Sequence, residues 1–356
     1  MKLTRYKLGD LIVQRREKNE GFDVPIRGVS REGFIKPKQQ DADTSIYNVF
    51  YRNDFVFNPA RMELNSIALN LEFDKALCSS LYEVFYVKDQ SIVLPEFLNL
   101  HIKRDEFARH CEYIGSGSAR EYCRVAQISE FDIDLPSIEV QQKIVDANRL
   151  LAKRIDTNKK LIATLEQTAQ TLYRHTFVDN IDPNNLPEGW RMGTLGEVCS
   201  FKYGKLPDKH LKSDEYPYPV FSGYAVTGYS DEYILEKSEI VVIARGDAGS
   251  GKVCMSPPKC FLSNLAIAAI TNDEQMKYYL YYHLLNSDTM SLRSGTAQAQ
   301  ITINNLEPFE IVIPVKELCV DFGEKVQSIL NCVENYNQQN QILTQMQTLL
   351  LSKMGV

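Results

Sequence analysis

Little in this sequence points to a membrane, a metal or a reaction. Nowhere in its 356 residues do eighteen apolar residues run together, so no stretch reads as a membrane-spanning helix. Met1 to Asp10, MKLTRYKLGD, has neither an apolar core nor a small-residue cleavage site. No secretory signal is read there, and a cytoplasmic chain is expected. Cysteines stand at 78, 111, 123, 199, 254, 260, 319 and 332 with no CxxC among them, and no two histidines have zinc-finger spacing. No structural metal is expected, and the thiols read as buried small hydrophobes. The five histidines lack a Ser, Cys or carboxylate partner at a recognisable spacing, GxSxG is absent, and the acidic residues are not clustered to hold Mg²⁺. No catalytic constellation emerges, and an enzyme is not expected.

A basic excess is missing as well. The net charge is −6, which argues against a chain that grips nucleic acid unaided, because phosphate neutralisation dominates such affinity. Residues 1–136 hold 19 basic and 21 acidic side chains, and residues 184–314 hold 11 and 15. Neither half is a basic patch by composition, so a DNA-binding role would need a partner to supply much of the positive charge.

Two short motifs imitate chemistry. Gly246 to Lys252, GDAGSGK, satisfies GxxxxGK after a strand-like run, Glu239 to Ala244. The next residue is Val253 where a Mg²⁺-binding Ser or Thr is needed, and Pro257-Pro258 prevents the helix whose N-terminus completes a phosphate site. A tight glycine turn between two strands is the better reading. Ser256-Pro257-Pro258-Lys259 has the two prolines of an adenine-methyltransferase motif, but Lys stands where an aromatic must stack on the base.

What the sequence does contain is a repeat. Ser116 to Arg120, SGSAR, matches Ser294 to Gln298, SGTAQ, at an offset of 178, and FDIDLP (Phe131 to Pro136) matches FEIVIP (Phe309 to Pro314) at the same offset. LGDLI (Leu8 to Ile12) pairs with LGEVC (Leu195 to Cys199) at an offset of 187. After each proline-ended strand a heptad seam begins. It runs Ile144, Asn148, Leu151, Ile155, Asn158, Ile162, Leu165, Ala169, Leu172, Thr176, and again Phe322, Val326, Ile329, Val333, Tyr336, Asn340, Leu343, Gln347, Leu350, Met354. Steps of four and three are the coiled-coil pattern. Some 38 residues of helix would reach ~57 Å, more than one small domain can cover, so the two helices are expected to pair. An antiparallel register that keeps the pseudo-twofold puts Asn158 opposite Asn340. Asp182-Pro183-Asn184-Asn185 breaks the chain between the copies.

These segments carry a resemblance. LPSIEVQQKI (Leu135 to Ile144), NKKLIATLEQTAQTLYRHTF (Asn158 to Phe177), LPEGW (Leu186 to Trp190) and LGEV (Leu195 to Val198), in this order, resemble the specificity subunit of type I restriction-modification systems. FNPARM (Phe57 to Met62) and ARGDAGSGKV (Ala244 to Val253) are similar to segments of that family's recognition domains. The second junction, IPVKELCVDF, departs by lacking the counterparts of Glu139 and Gln141, and the second helix is rich in Asn and Gln.

The resemblance implies an α+β chain of two β-rich target-recognition domains in tandem, residues 1–136 and 184–314. Each is followed by a conserved long helix, residues 137–183 and 315–356, and the helices form an antiparallel coiled coil. It implies a non-catalytic, sequence-specific DNA-binding subunit that reads a split target, the helices setting the unread spacer. The implied partners are double-stranded DNA, two modification (methyltransferase) subunits and, in complexes that also cleave, restriction subunits, with no membrane involved. S-adenosylmethionine, ATP and Mg belong to those partners and no cofactor to this chain. Two other readings stay open: a coiled-coil scaffold without DNA readout, and a recognition subunit serving a methyltransferase alone.

Base readout favours Arg, Asn and Gln, and phosphate contact favours Lys, Arg, Ser and Thr. Loops marked by Gly or Pro offer Arg27, Arg31, Lys36, Lys38, Arg61, Ser116, Ser118 and Arg120 in the first half. The second half offers Lys202, Tyr203, Lys205, Tyr224, Arg245, Lys252, Arg293, Thr296 and Gln298.

Overall fold

A computed structural model describes residues 2–37, 43–115, 122–179, 181–206, 215–246, 249–294 and 300–355. In chain order the first elements are β1 (Thr4–Lys7), α1 (Leu8–Leu11), β2 (Ile12–Arg15), β3 (Gly28–Ser30), β4 (Gly33–Ile35), β5 (Asn48–Tyr51), β6 (Asp54–Phe57), β7 (Ile67–Leu69), β8 (Lys75–Cys78), β9 (Glu83–Val87), α2 (Pro95–Ile102), α3 (Asp105–Gly115), α4 (Val125–Ile128), β10 (Asp132–Leu135) and the long helix α5 (Ile138–Phe177). Then follow β11 (Arg191–Thr194), α6 (Leu195–Val198), β12 (Cys199–Tyr203), β13 (Tyr218–Phe221), β14 (Val226–Ser230), β15 (Ile240–Ile243), β16 (Val253–Met255), β17 (Phe261–Leu262), β18 (Ala266–Thr271), α7 (Lys277–Asn286), α8 (Ile303–Leu306), β19 (Glu310–Ile313) and the second long helix, α9 (Lys316–Ser352). They make two compact units. Unit 1 is Met1–Asn158 with Gln338–Val356, and unit 2 is Lys159–Asn337.

The repeated sequence segments build the same frame in both units. In unit 1, β1 pairs antiparallel with β10, and Leu8 and Gly9 donate their N–H groups to the carbonyls of Phe131 and Ser129. In unit 2, β11 pairs antiparallel with β19, and Leu195 and Gly196 donate to Phe309 and Glu307, which are the residues 178 further on. A side chain at this crossing would be crowded. A Cβ on Gly9 would lie 2.9 Å from Ser129 Cβ, and one on Gly196 would lie 3.1 Å from Glu307 O. The alternation of DIDL and EIVI puts Ile133, Leu135, Ile311 and Ile313 inward, as the two-residue period of a strand demands.

Each frame carries a four-stranded antiparallel sheet, β2-β9-β6-β7 in unit 1 and β12-β18-β15-β16 in unit 2. Its central strands are buried on both faces. Phe55, Phe57 and Phe85 enter one core while Val56 and Val84 enter another with Phe50 and Ala76. In unit 2, Ile240 and Val242 divide from Val241 in the same way. Seven of the cysteines are buried or half-buried in these cores, but Cys332 is exposed, because it lies on the outer side of α9 beside the seam residue Val333.

α5 runs unbroken because no Pro or Gly occurs between Ser137 and Phe177, and the chain leaves it just before Asp182-Pro183. Within unit 1 the early part of α5 lies against the late part of α9. Gln347 Nε2 donates to Asn148 Oδ1 at 3.2 Å, and Asn158 Nδ2 donates to Asn340 Oδ1 at 3.0 Å. Numbers rise on one helix as they fall on the other, so the pairing is antiparallel. Within unit 2 the late part of α5 meets the early part of α9 in an aromatic cluster, with Tyr173 and Phe177 against Phe322 at ring separations of 6.2 and 5.1 Å. Every seam position is buried or half-buried, including Leu151, Ile155, Ile162, Leu165, Ile329, Val333, Tyr336 and Leu343. The residues equivalent to the polar pair Asn148 and Gln347 are Val326 and Ala169, both fully buried. At this position the seam is therefore polar in unit 1 and apolar in unit 2.

Candidate nucleic-acid interface

An arginine already tied to a carboxylate has little left to offer a ligand. Several of the described arginines of unit 1 are tied in this way. Arg5 pairs with Asp134, Arg15 with the buried Asp54, Arg52 with Asp74, Arg104 with Glu106 and Arg124 with Glu83, at 2.7 to 3.4 Å. Arg27 is held differently, with its guanidinium 4.7 Å over the Phe73 ring and one N–H on the Ile26 carbonyl. Arg31 and Arg61 are exposed and have no side-chain partner among the described residues. Lys36, just past β4, is exposed too.

Arg31 and Arg61 line one cavity of about 490 Å³ with Asn65, Ser66, Lys103 and Asp105. Three local structures converge there. The hairpin of β3 and β4 turns at Arg31-Glu32 with Gly33 at φ 127. The short 3₁₀ segment Pro59–Leu64 breaks helical geometry at Arg61 and ends on Asn65, at φ 53. The junction of α2 and α3 supplies Lys103 and Asp105. Lys103 stitches the first of these to the sheet, because its ammonium donates to Arg31 O at 3.0 Å and to Ile67 O at 2.7 Å. Burial, and then the Arg31 charge, pull its pKa down to about 8. Asn65 is fixed by its Nδ2 on Ile102 O at 3.0 Å, which leaves its buried Oδ1 without a protein partner among the described residues.

In unit 2 four of the candidates gather at one turn, the GDAGSGK segment. It joins β15 to the antiparallel β16, with Gly246 at φ 113 and Gly251 at φ 94. Four of the amides that would have to cradle a phosphate are spent within the turn and its flanking strands. Gly249 and Ser250 donate to Gly246 O, Gly251 to Ile243 O, and Lys252 to Gly249 O. Tyr224 packs so closely that a Cβ on Gly249 would fall 0.9 Å from its hydroxyl. Arg245 Nε donates to Gln300 Oε1 at 2.9 Å, and Arg293 Nη2 to Ser250 O at 2.6 Å. The Arg293 guanidinium thus braces the turn and the Arg245 guanidinium ties the residue before it to Gln300, while the Lys252 and Tyr224 side chains stand at the surface.

Lys202 and Tyr203 lie on β12, with Lys202 Nζ on Ile234 O at 3.2 Å and Tyr203 Oη accepting from Ile303 N at 3.0 Å. Lys205 follows Gly204, where the backbone passes so near Ser263 that a Cβ would sit 1.9 Å from its carbonyl oxygen. Lys38, Ser116, Ser118, Arg120, Thr296 and Gln298 lie outside the described residues. Among the described residues no group of His, Cys, Asp or Glu converges to hold a metal, and no helix is long and apolar enough to cross a membrane.

Sequence reasoning passed over Asn65, Lys103, Asp105 and Gln300. Asn65 had a usable signal, since Asn is the residue that ends a helical turn in the left-handed region. Lys103 had none, because its role depends on β7, 36 residues away.

A family model described as the type I restriction modification DNA specificity domain matches residues 35–167 and again 187–348. The HindI specificity subunit of Haemophilus influenzae is 25% identical over 74% of this chain and 77% of its own length. The MjaIX specificity subunit of Methanocaldococcus jannaschii is 23% identical over 74% and 68%. A solved structure, the S subunit of a type I restriction-modification system from M. genitalium, superposes with a TM-score of 0.68 over 100% of this chain and 96% of its own. At 16% identity that likeness establishes the fold alone.

Proposed function

The chain belongs to the family of type I restriction-modification specificity subunits, and from that premise we propose that it reads a split double-stranded DNA target, one half-site per unit. Family membership brings recognition of a DNA target and docking of methyltransferase subunits, with no catalysis by this chain. S-adenosylmethionine chemistry is assigned to those modification subunits, and ATP-driven translocation and cleavage to restriction subunits where these join.

The single observation that carries the two-part reading is the duplication. The family model matches twice, and the frame contacts Leu8–Phe131 and Gly9–Ser129 recur as Leu195–Phe309 and Gly196–Glu307. Two copies of one frame support two related readers, and their different candidate surfaces support different half-sites. In unit 1 the candidates are Arg31 and Arg61 at a cavity, and in unit 2 Tyr224 and Lys252 at a braced turn. The net charge of −6 fits a reader whose partners supply much of the phosphate neutralisation.

The test is an exchange. Residues 1–136 are replaced by the corresponding domain of another family member, and the chimera is expressed with its modification subunits. The methylated motif should change in one half only. A change in both halves, or in neither, would contradict the assignment.

A further inference from the structure

Among the unit 1 candidates, Arg31 and Arg61 combine three properties. They are exposed, they have no acidic partner among the described residues, and they share one cavity of about 490 Å³. The Lys103 ammonium lines the same cavity and, among the described residues, is bound only to the carbonyls of Arg31 and Ile67. Against these three cations the lining holds one carboxylate, Asp105, which makes no ion pair with any of them. Arg31 already works against the charge on Lys103. Three positive groups gathered around a hollow with one carboxylate leave an excess of positive charge that a bound anion relieves.

Shape decides which part of DNA that anion belongs to. Base edges lie recessed in the grooves and are reached by groups that protrude, on a helix or a ribbon. Phosphates stand out from the duplex and fit a concavity lined by guanidinium forks. The acceptors in the cavity suit this arrangement. A guanidinium has five N–H donors, of which a phosphate takes two, and the buried Asn65 Oδ1 and the Asp105 carboxylate can receive others. We propose that the cavity lined by Arg31 and Arg61 seats one backbone phosphate of the bound DNA, fixing the register of unit 1 on the duplex without reading a base. The assignment rests on the DNA-reading function proposed above.

The experiment uses the full chain with its modification subunits. Wild type, Arg31→Gln, Arg61→Gln and the double variant are titrated on a duplex carrying the motif that the wild type methylates and on a scrambled duplex, over roughly 50–200 mM salt. The double variant should bind both duplexes about tenfold more weakly, and the slope of log K against log salt should flatten by about 0.9, the loss of one phosphate contact. The methylated motif should stay the same, which also shows that the variant folds. A motif relaxed at one base position with an unchanged salt slope would make the cavity a base reader and overturn the phosphate assignment. Unchanged binding would remove the cavity from the interface. If the wild-type complex prefers neither duplex, the DNA-reading function itself fails, whatever the variants do.

Discussion

Replacing Gln141 with Met removes a junction that only unit 1 possesses. Gln141 is fully buried at the start of α5. Its Oε1 accepts from Leu94 N at 3.0 Å, and its Nε2 donates to Ile92 O at 2.9 Å and to Pro136 O at 3.0 Å. Met has the same length and none of these partners. At about 1 kcal/mol for each neutral hydrogen bond, the loss comes to about 3 kcal/mol, more if the Leu94 N–H stays dry. The residue 178 further on is Cys319, packed in the apolar core of unit 2, so that unit has no equivalent bond to lose. The chain has one Trp, Trp190, in unit 2. Its fluorescence therefore follows unit 2, and amide exchange of the α2 peptides follows unit 1. Two units also make a single global stability ill-defined, which favours local readouts. Exchange at Leu98–Ile102 should speed up by roughly a hundredfold, with the Trp190 transition in urea unmoved. Exchange within about threefold of wild type would refute the reasoning.

Two further perturbations follow from buried polar groups. Burial, and then Arg104, hold the His101 imidazole down at about 4. The folded state therefore binds fewer protons than the unfolded state, whose His titrates near 6.5. Unit 1 should lose stability as pH falls from about 6.5 toward 4, by about 3 kcal/mol. His101→Phe should flatten that slope in unit 1 exchange data, while unit 2 keeps the slope of its own buried His283. A slope unchanged in the variant would show that other groups cause it. Asn158 is fully buried, with Nδ2 on Asn340 and Oδ1 unpartnered among the described residues. Asn158→Leu should leave helix stability equal or higher but loosen the register, because a polar seam residue specifies alignment at a cost in stability. The methylated motif should then show mixed spacers. A single spacer with lowered stability would contradict this.

The parts of the fold legible from sequence are those with a period. The steps of four and three locate both helices and the seam, because burial along a helix repeats as its turns do. The matched segments at an offset of 178 mark the frame, because Gly9 and Gly196 meet the same backbone crossing. GDAGSGK reads as a turn because Val253 and Pro257-Pro258 rule out a following helix. The sheet order was not legible. β6 and β15 are buried on both faces and show no apolar–polar alternation that would say which neighbour each takes. The free arginines were not legible either. Whether an Arg is spent depends on partners such as Asp134 for Arg5, 129 residues away, or Asp54 for Arg15, 39 away. In the same way the bonds of Arg245 to Gln300 and of Arg293 to the Ser250 carbonyl join residues 55 and 43 positions apart, which their setting in glycine-marked loops does not show.

The central claim is that one chain reads two separated stretches of DNA. The most direct measurement is a genome-wide map of methylated adenines in a cell where this chain and its modification subunits form the only active methyltransferase. The expected result is one motif of two specified segments separated by a fixed run of unread bases, with a methylated adenine in each segment. A continuous motif, or methylation that persists when this chain is deleted, would contradict it.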